Sequence, residues 1–505
     1  MQTQESVLPL LVFLVPTVCG VVSLVVARFR AFHGEWAFIG LAATLGISLL
    51  IARDVLQGTI LTAWHEHIYV DGLSALMEVL GACVGVIIVL YSLRYIPERL
   101  REHPDAPSRL SVYYGLLLLF LGMMNWTCAT NNIVMLYVSL EFTTLATAFL
   151  VTFYWNRQAI EAGYKYLMLV TVGVLFSLMG LSLIYCAAAG LPFMAGRRIL
   201  LLTELGKAAP QMPISVVLLA NALIVAGFGT KAGLVPFHAW LPDAHAEAPA
   251  PISALLSGIV IKVGAYALAR TITIFAPQYP AVVIFVAIMA SLSMVVGILM
   301  ALVQDDIKRM LAYSSVSQIG YVVEGLGLGT YLGIYGGLFH LMNHTLVKAL
   351  LFLGAGSILH LTGKRKISEL GGLARRAPIT AFCFFVGALA IGGLPPFNVF
   401  MSKFTLFVAA AERGLLWAAI IAVFTGLLTV ACFVRAAYRI FWGEPRLELV
   451  PANPGPQEER QEVPITMWIA MFVLALLVIA LGIYPTLAYE ILHSATNCLL
   501  AILGG

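Results

Sequence analysis

Residues 226–242 read AGFGTKAGLVPFHAWLP, and residues 391–407 read IGGLPPFNVFMSKFTLF. Each is an apolar run interrupted by Gly and Pro that carries one lysine, Lys231 in the first and Lys403 in the second. Proline removes a backbone donor and clashes with the preceding turn, so neither run continues as one unbroken helix. An ammonium at mid-membrane costs about 2.5–3.5 kcal/mol on insertion scales, and such residues mark ion or proton paths. Interrupted apolar segments in corresponding positions of two halves point to a transport site.

The remainder of the chain fits a membrane. Of 505 residues, 61 % are hydrophobic and 11 % charged, which excludes a soluble domain of this size. Runs long enough to cross about 30 Å of hydrocarbon fall near 7–27, 35–52, 71–95, 111–130, 132–154, 163–190, 213–241, 252–276, 280–303, 308–329, 331–361, 378–410, 414–441 and 464–486. The expected fold is an all-α polytopic membrane protein of about 14 transmembrane helices, a single membrane domain over residues 1–505. The two interrupted runs are the seventh and twelfth crossings. Five crossings apart, they run in opposite directions, as two inverted five-helix repeats demand. Residues 111–276 form the expected first repeat and 280–441 the second, followed by a cytoplasmic linker at 443–463 and a last helix and tail at 464–505, with no room for a further long element.

Basic residues orient the chain. Alternate loops carry Arg28 and Arg30, then Arg94 to Arg109, Lys308 and Arg309, Lys364 to Arg376, and Arg435 to Arg460. The opposite loops Thr130 to Asn132 and Gly325 to Gly333 carry no charge. The basic loops therefore face the cytoplasm and both termini face outward, across a cell (inner) membrane. Gly196 to Ala209, with Arg197, Arg198 and Lys207 among apolar residues, reads as a short amphipathic helix on the outer surface. The start MQTQESVLPLL lacks a basic n-region and a cleavage site, so the first run reads as a retained helix. No basic cluster suggests nucleic acid. Seven scattered cysteines without CxxC spacing, and no Walker or dinucleotide loop, lead to the expectation of no cofactor and no metal, with any redox centre in another subunit.

Glu141 lies amid apolar residues in IVMLYVSLEFTTLATAFLV (133–151), and a buried carboxylate must be paired or neutral. Its natural partner is Lys231. Burial disfavours the ammonium and a carboxylate favours it, so changing their separation would release or recapture a proton; a static structural pair is the other reading. Lys262 in LLSGIVIKVGAYALAR (255–270) is a relay group or snorkels to an interface. His340, His344 and Lys348 recur every fourth residue along one helix, and histidine titrates near neutrality. Two histidines at this spacing can also bind zinc, but no third ligand accompanies them. Lys403, with no acid near it in sequence, is a candidate exit group. Asp243, His245 and Glu247 line a cytoplasmic entrance or lie in a solvated loop. Lys165 with Glu161 is an interfacial anchor or one more relay lysine. Asp305, Asp306, Lys308 and Arg309 read as a structural charge cluster, and Asp71 as a helix cap.

The motifs KAGLVPFHAWLPDAHAEAPAPISALLSG (231–258), DDIKRMLAYSSVSQIGY (305–321), FHLMNHTLVKALLFL (339–353), GLPPFNVFMSKF (393–404) and YVSLEFTTL (137–145) resemble the antiporter-like subunits of the complex I, Mrp antiporter and group 4 membrane-bound nickel–iron hydrogenase superfamily. EFTTLATAFLV, AIEAGYKYL and AEAPAPISALLSG are most similar to the hydrogenase-4 and formate hydrogenlyase type, where a glutamate is expected at the position of Lys403. The resemblance implies a fourteen-helix fold with discontinuous helices 7 and 12. It implies a central pair of Glu141 and Lys231, a connection through Lys262 and His344, and an end at Lys403. Its partners would be other membrane subunits and a peripheral redox arm. Two functions follow: a proton-translocating subunit of a redox-driven complex, or a subunit of an Mrp-type sodium/proton antiporter without redox partner.

Overall fold

The computed structural model describes residues 2–26, 33–101, 105–276, 278–444 and 462–501, and each of the fourteen apolar runs is helical in it. The first six crossings are α1 (Leu8–Val26), α2 (His33–Leu56), α3 (Gly72–Arg99), α4 (Ala106–Ala129), α5 (Ile133–Val151) and α6 (Arg157–Ala189). A short α7 (Leu202–Ala208) follows. The seventh crossing is α8 (Ile214–Ala232) and α9 (Trp240–Glu247); the eighth is α10 (Ala250–Leu255), a π-helical turn at Leu256–Val260, and α11 (Ile261–Phe275). Then come α12 (Pro280–Leu302), α13 (Ile307–Gly327), α14 (Tyr331–Thr362) and the small α15 (Leu373–Arg376). The twelfth crossing is α16 (Pro378–Gly392) and α17 (Asn398–Glu412), and the last two are α18 (Leu416–Ala437) and α19 (Ile465–Ile483).

Among the described residues twelve helices are long and apolar enough to span a membrane. The other two crossings are the more polar α13 and the divided α16–α17. The eighth crossing is buried along its length, with α3 and α14 largely buried beside it, while α1, α2, α6 and α19 form the rim. Rim side chains such as Val18, Val21, Val172, Met179 and Leu476 are exposed and apolar, as a lipid-facing surface requires.

Helix starts follow the side-chain chemistry of caps. Asp71 accepts from the Leu73 and Ser74 amides at the start of α3, as its position in the sequence predicts. Asn132 does the same for Val134 and Met135 of α5, and Asp306 for Lys308 and Arg309 of α13. Both breaks end their first helix on a left-handed glycine, Gly233 (φ 83°) and Gly393 (φ 86°). The closing bonds match as well: Gly233 N to Thr230 O (3.1 Å) and Leu234 N to Gly229 O (2.8 Å) recur as Gly393 N to Ala390 O (2.9 Å) and Leu394 N to Leu389 O (3.3 Å).

Three expectations need correction. HAWLPDAHAEAPAPIS is no loop: Trp240–Glu247 is helical, and the seventh crossing ends beyond residue 241. The stretch after the fourteenth crossing is not a bare tail, since α20 (Tyr489–Ala501) returns against the start of α3. A Cβ on Gly72 would stand 2.5 Å from Ser494 Oγ, so the glycine seats that helix. The fold is the expected all-α membrane protein, and a small sheet joins β1 (Gln2–Glu5) parallel to β2 (Thr59–Ala63) and β2 antiparallel to β3 (Ile68–Val70). In the amphipathic segment only Leu202–Ala208 forms an α-helix, with Leu202, Leu205 and Ala208 buried and Glu204 bridging Arg197 (3.1 Å) and Lys207 (2.6 Å). Most of the 443–463 linker, together with Arg28, Arg30, Arg446 and Arg460, lies outside the described residues.

Candidate functional site

Six of the seven predicted residues are buried. Lys231, Lys262, His340, His344 and Lys348 have no exposed surface and Lys403 retains 3 %, so none of them snorkels to lipid or water. Glu141 is half-buried. All sit on helices whose apolar sequence carries them into the interior, and each must find polar partners there.

Lys231 occupies the last turn of α8. Its Nζ donates to Thr144 Oγ1 of α5 (2.7 Å) and to Tyr166 Oη of α6 (3.2 Å), and it stands 5.8 Å from the Tyr166 ring centroid. Tyr166 shares a hydrogen bond with Thr147 (2.5 Å), which lies one turn from Thr144. Glu141 Oε2 accepts from Thr171 Oγ1 (3.3 Å), and its Oε1 has no hydrogen-bond partner in the protein. The expected direct ion pair is therefore open: the ammonium is held by hydroxyls, with the carboxylate one turn of α5 away from Thr144. A sequence places Glu141 and Lys231 in one core, but only the packing of α5, α6 and α8 decides which side chain touches the ammonium.

Lys262 begins α11 just after the π-helical turn. Its Nζ lies 2.6 Å from His344 Nδ1 and donates to the Ser257 carbonyl, one of the groups of that turn. Such turns recur at functional sites because they displace backbone groups from the regular ladder. Ser257 Oγ is 2.7 Å from Ser315 Oγ. Lys348, one turn along α14 from His344, donates to the Leu311 carbonyl (2.8 Å) and to Ser314 Oγ. Lys348 and the Ser257 beside Lys262 thus meet adjacent serines of α13, Ser314 and Ser315, both of which donate to the Leu311 carbonyl. The rings of His344 and His340 stack with centroids 6.2 Å apart, and the Nε2 of each lacks a protein partner.

His340 Nδ1 lies 3.1 Å from Ser402 Oγ, the neighbour of Lys403 in α17. Lys403 Nζ donates to the Ile391 and Gly392 carbonyls (3.0 and 3.1 Å), the last groups of α16, and stands 5.1 Å from the Tyr321 ring centroid. The negative end of a helix dipole receives this ammonium in place of a carboxylate. From Lys262 to Ser402 the polar side chains follow one another as two hydrogen-bonded pairs, Lys262 with His344 and His340 with Ser402, joined by the stacked imidazoles. No side-chain hydrogen bond among the described residues links Lys231 to Lys262. There α11 meets the broken end of α8 so closely that a Cβ on Gly264 would stand 2.5 Å from the Ala232 nitrogen and 2.9 Å from Lys231 C.

The peripheral candidates separate clearly. Asp243 pairs with Arg309 (2.9 Å) and Lys165 (3.4 Å), and Glu247 with Arg365 (3.3 Å), so α9 is pinned to the basic-loop side by ion pairs. Lys308 caps α9 at the Ala246 and Ala248 carbonyls, as a member of the expected structural cluster. Lys165 is 46 % exposed and paired with Glu161 (2.7 Å), which fits an interfacial anchor and not a buried relay. His245 is fully buried against Phe352, ring centroids 4.6 Å apart, with neither nitrogen bonded to protein. It does not line a solvated loop.

Three groups that the sequence reading did not single out share this interior. Arg270 makes a two-bond pair with Asp71 (2.6 and 2.6 Å) and also donates to Ser74 and Tyr266. Glu78 and Glu324 are 0 % and 2 % exposed, and no oxygen of either carboxylate has a partner in the protein. All three lie inside the apolar runs, so their signal was present: an ionisable residue a few turns from the end of a crossing.

Residues 130–429 match the family described as NADH:quinone oxidoreductase/Mrp antiporter, TM. The NADH-quinone oxidoreductase subunit N of Desulforudis audaxviator is 36 % identical over 430 residues, 83 % of this chain and 82 % of that protein. The hydrogenase-4 component F homolog of Methylacidiphilum infernorum is 34 % identical over 82 % of this chain and 85 % of its own length. Among solved structures, a chain of the membrane-bound sulfane sulfur reductase, an archaeal respiratory membrane complex, superposes with a TM-score of 0.86 at 28 % identity, covering 99 % of this chain and 100 % of that one.

Proposed function

Because the chain belongs to the NADH:quinone oxidoreductase/Mrp antiporter transmembrane family, we propose that it is the proton-translocating, antiporter-like subunit of a multisubunit, redox-driven membrane complex of the hydrogenase or NADH:quinone oxidoreductase kind. The observation that carries this reading is the row of buried ionisable groups, from Lys231 through the 2.6 Å contact of Lys262 with His344 to Lys403. No apolar packing need keeps three ammonium groups and two imidazoles in such a place.

Protons move from the Glu141 and Lys231 region to Lys262 and His344, then past His340 and Ser402 to Lys403. Lys348 supports the middle of the row through Ser314. Drawing the Glu141 carboxylate toward Lys231 favours the ammonium, and withdrawing it drives the proton onward. Glu141 is the one member of the row at the edge of the chain, so a neighbouring membrane subunit covers it and supplies the displacement. The redox chemistry belongs to a peripheral arm, and this chain binds no cofactor. Residues 111–276 and 280–441 are the two repeats, the basic loops face the cytoplasm, and both termini face outward across the cell (inner) membrane.

Lys231→Ala tests this reading. The assembled complex is expected to purify with its partner subunits and to lose proton translocation in membrane vesicles. Normal pumping by the assembled variant ends the assignment. Identification of the copurified subunits and a sodium-free arm separate this function from an Mrp-type sodium/proton antiporter, which would use the same row.

A further inference from the structure

The face of α13 that looks into the bundle carries Ser314, Gln318, Tyr321 and Glu324 at spacings of one turn, and these residues are buried. Its lower end, on the basic-loop side, touches the row already described: Ser314 accepts from Lys348, and the adjacent Ser315 meets Ser257 beside Lys262. The face then rises away from the basic loops. Gln318 is completely buried and neither its Oε1 nor its Nε2 has a protein partner. Tyr321 presents its ring 5.3 Å from the His340 ring and 5.1 Å from Lys403 Nζ, while its hydroxyl bonds Ala422 O (2.6 Å) and Thr425 Oγ1 (2.8 Å). One turn further comes Glu324, with both oxygens unpartnered, one turn before α13 ends at Gly327. From Ser314 to Glu324 the helix climbs about 15 Å.

Glu324 is also placed beyond Lys403 on the way out. Leu406, one turn after Lys403 in α17, packs against Gly325, where a Cβ would stand 2.6 Å from Leu406 Cδ2. The neighbouring α12 carries no ionisable side chain, and no ion pair reaches Glu324 among the described residues. A structural role would leave the carboxyl bonded, since buried polar groups that serve only packing find partners. Gln318 and Glu324, on either side of Tyr321, both carry open hydrogen-bonding atoms, and water can enter a site with several polar groups.

We infer that this face of α13 is the outward arm of the proton path and that Glu324 is its release group on the side opposite the basic loops. The inference rests on the proton-translocating reading above. The ammonium of Lys403 gives its proton through water to the Glu324 carboxylate and becomes an amine. The resulting acid then yields the proton to water at the opposite face and returns to a carboxylate. No other co-reactant is involved.

The test uses membrane vesicles in which the intact complex pumps, with Lys231→Ala measured alongside. Glu324→Gln and Glu324→Met remove no hydrogen bond to protein, so both are expected to assemble. Both should lower translocation by about 100-fold or more, the lower end of what a positioned proton-transfer group contributes. Glu324→Asp should restore a measurable part of the rate, which a merely steric role would not predict. Wild-type pumping by either assembled Gln or Met variant, with Lys231→Ala inactive, overturns the exit assignment and leaves the broader reading standing. If Lys231→Ala pumps too, the broader reading fails and the exit assignment with it.

Discussion

Lys231 and Lys403 stand beside interrupted helices whose closing turns match bond for bond, yet they lie on opposite sides of their breaks. Lys231 ends the helix before Gly233, and Lys403 rides on the helix after Gly393. The partners differ accordingly. Lys231 is held by hydroxyls of two other crossings, Thr144 and Tyr166, with an acid nearby on α5. Lys403 is held by two carbonyls of its own crossing. Side-chain partners on separate helices move when those helices move, whereas the carbonyl cradle travels with its lysine. The lysine at the first break thus depends on neighbouring crossings for its partners, and the lysine at the second on its own crossing.

The largest effect that probes this contrast is expected at Glu141. Glu141→Gln should reduce translocation by about 100-fold, with Glu141→Asp retaining a fraction, as read by vesicle acidification. Normal pumping by Glu141→Gln would show that hydroxyls alone set the state of Lys231. Next, Thr144→Val combined with Tyr166→Phe removes both hydroxyls. Hydrogen bonds to charged groups contribute about 1.5–3 kcal/mol each, so a loss of tenfold or more is expected in the same assay. Tyr321→Phe at the second break keeps its ring and every bond to Lys403, and about threefold is the ceiling for its effect, because those bonds are to backbone.

Smaller effects distinguish the glycines. A side chain at either left-handed position costs roughly 1–2 kcal/mol, visible in thermal unfolding of both Gly233→Ala and Gly393→Ala. The new Cβ at Gly393 would meet Lys403 Cδ at 3.0 Å, while that at Gly233 would meet Leu241. Gly393→Ala should therefore slow transport more than Gly233→Ala at equal loss of stability, and equal slowing would contradict the cradle. Smallest of all, Lys165→Ala should leave translocation within about twofold of wild type, since exposed pairs contribute little.

Much of this was legible in the sequence, because lysine, histidine and glutamate are conspicuous within apolar runs and Gly–Pro breaks are read from local chemistry. All fourteen crossings and both discontinuities were placed that way. The short helix α9 was not, since Pro242 and three ionisable residues within eight positions look like a loop until Arg309, Arg365 and Lys308 are seen to hold it. The strands were hidden because β1 and β2 meet across more than fifty residues of chain. Glu324, Glu78 and Arg270 were passed over because a charge near the end of a run resembles an interfacial one. Whether it has a partner is a property of neighbouring helices. The identity of the groups around Lys231 was out of reach for the same reason.

Gly264 sets a limit on how closely α11 and the end of α8 can approach. With hydrogen in place of a side chain, α11 already rests against the backbone at the end of α8, and further approach would drive atoms into one another. The contact is an end-stop. Any motion that changes how the α11 backbone sits against the end of α8 must therefore be a retreat or a lateral slide from this contact.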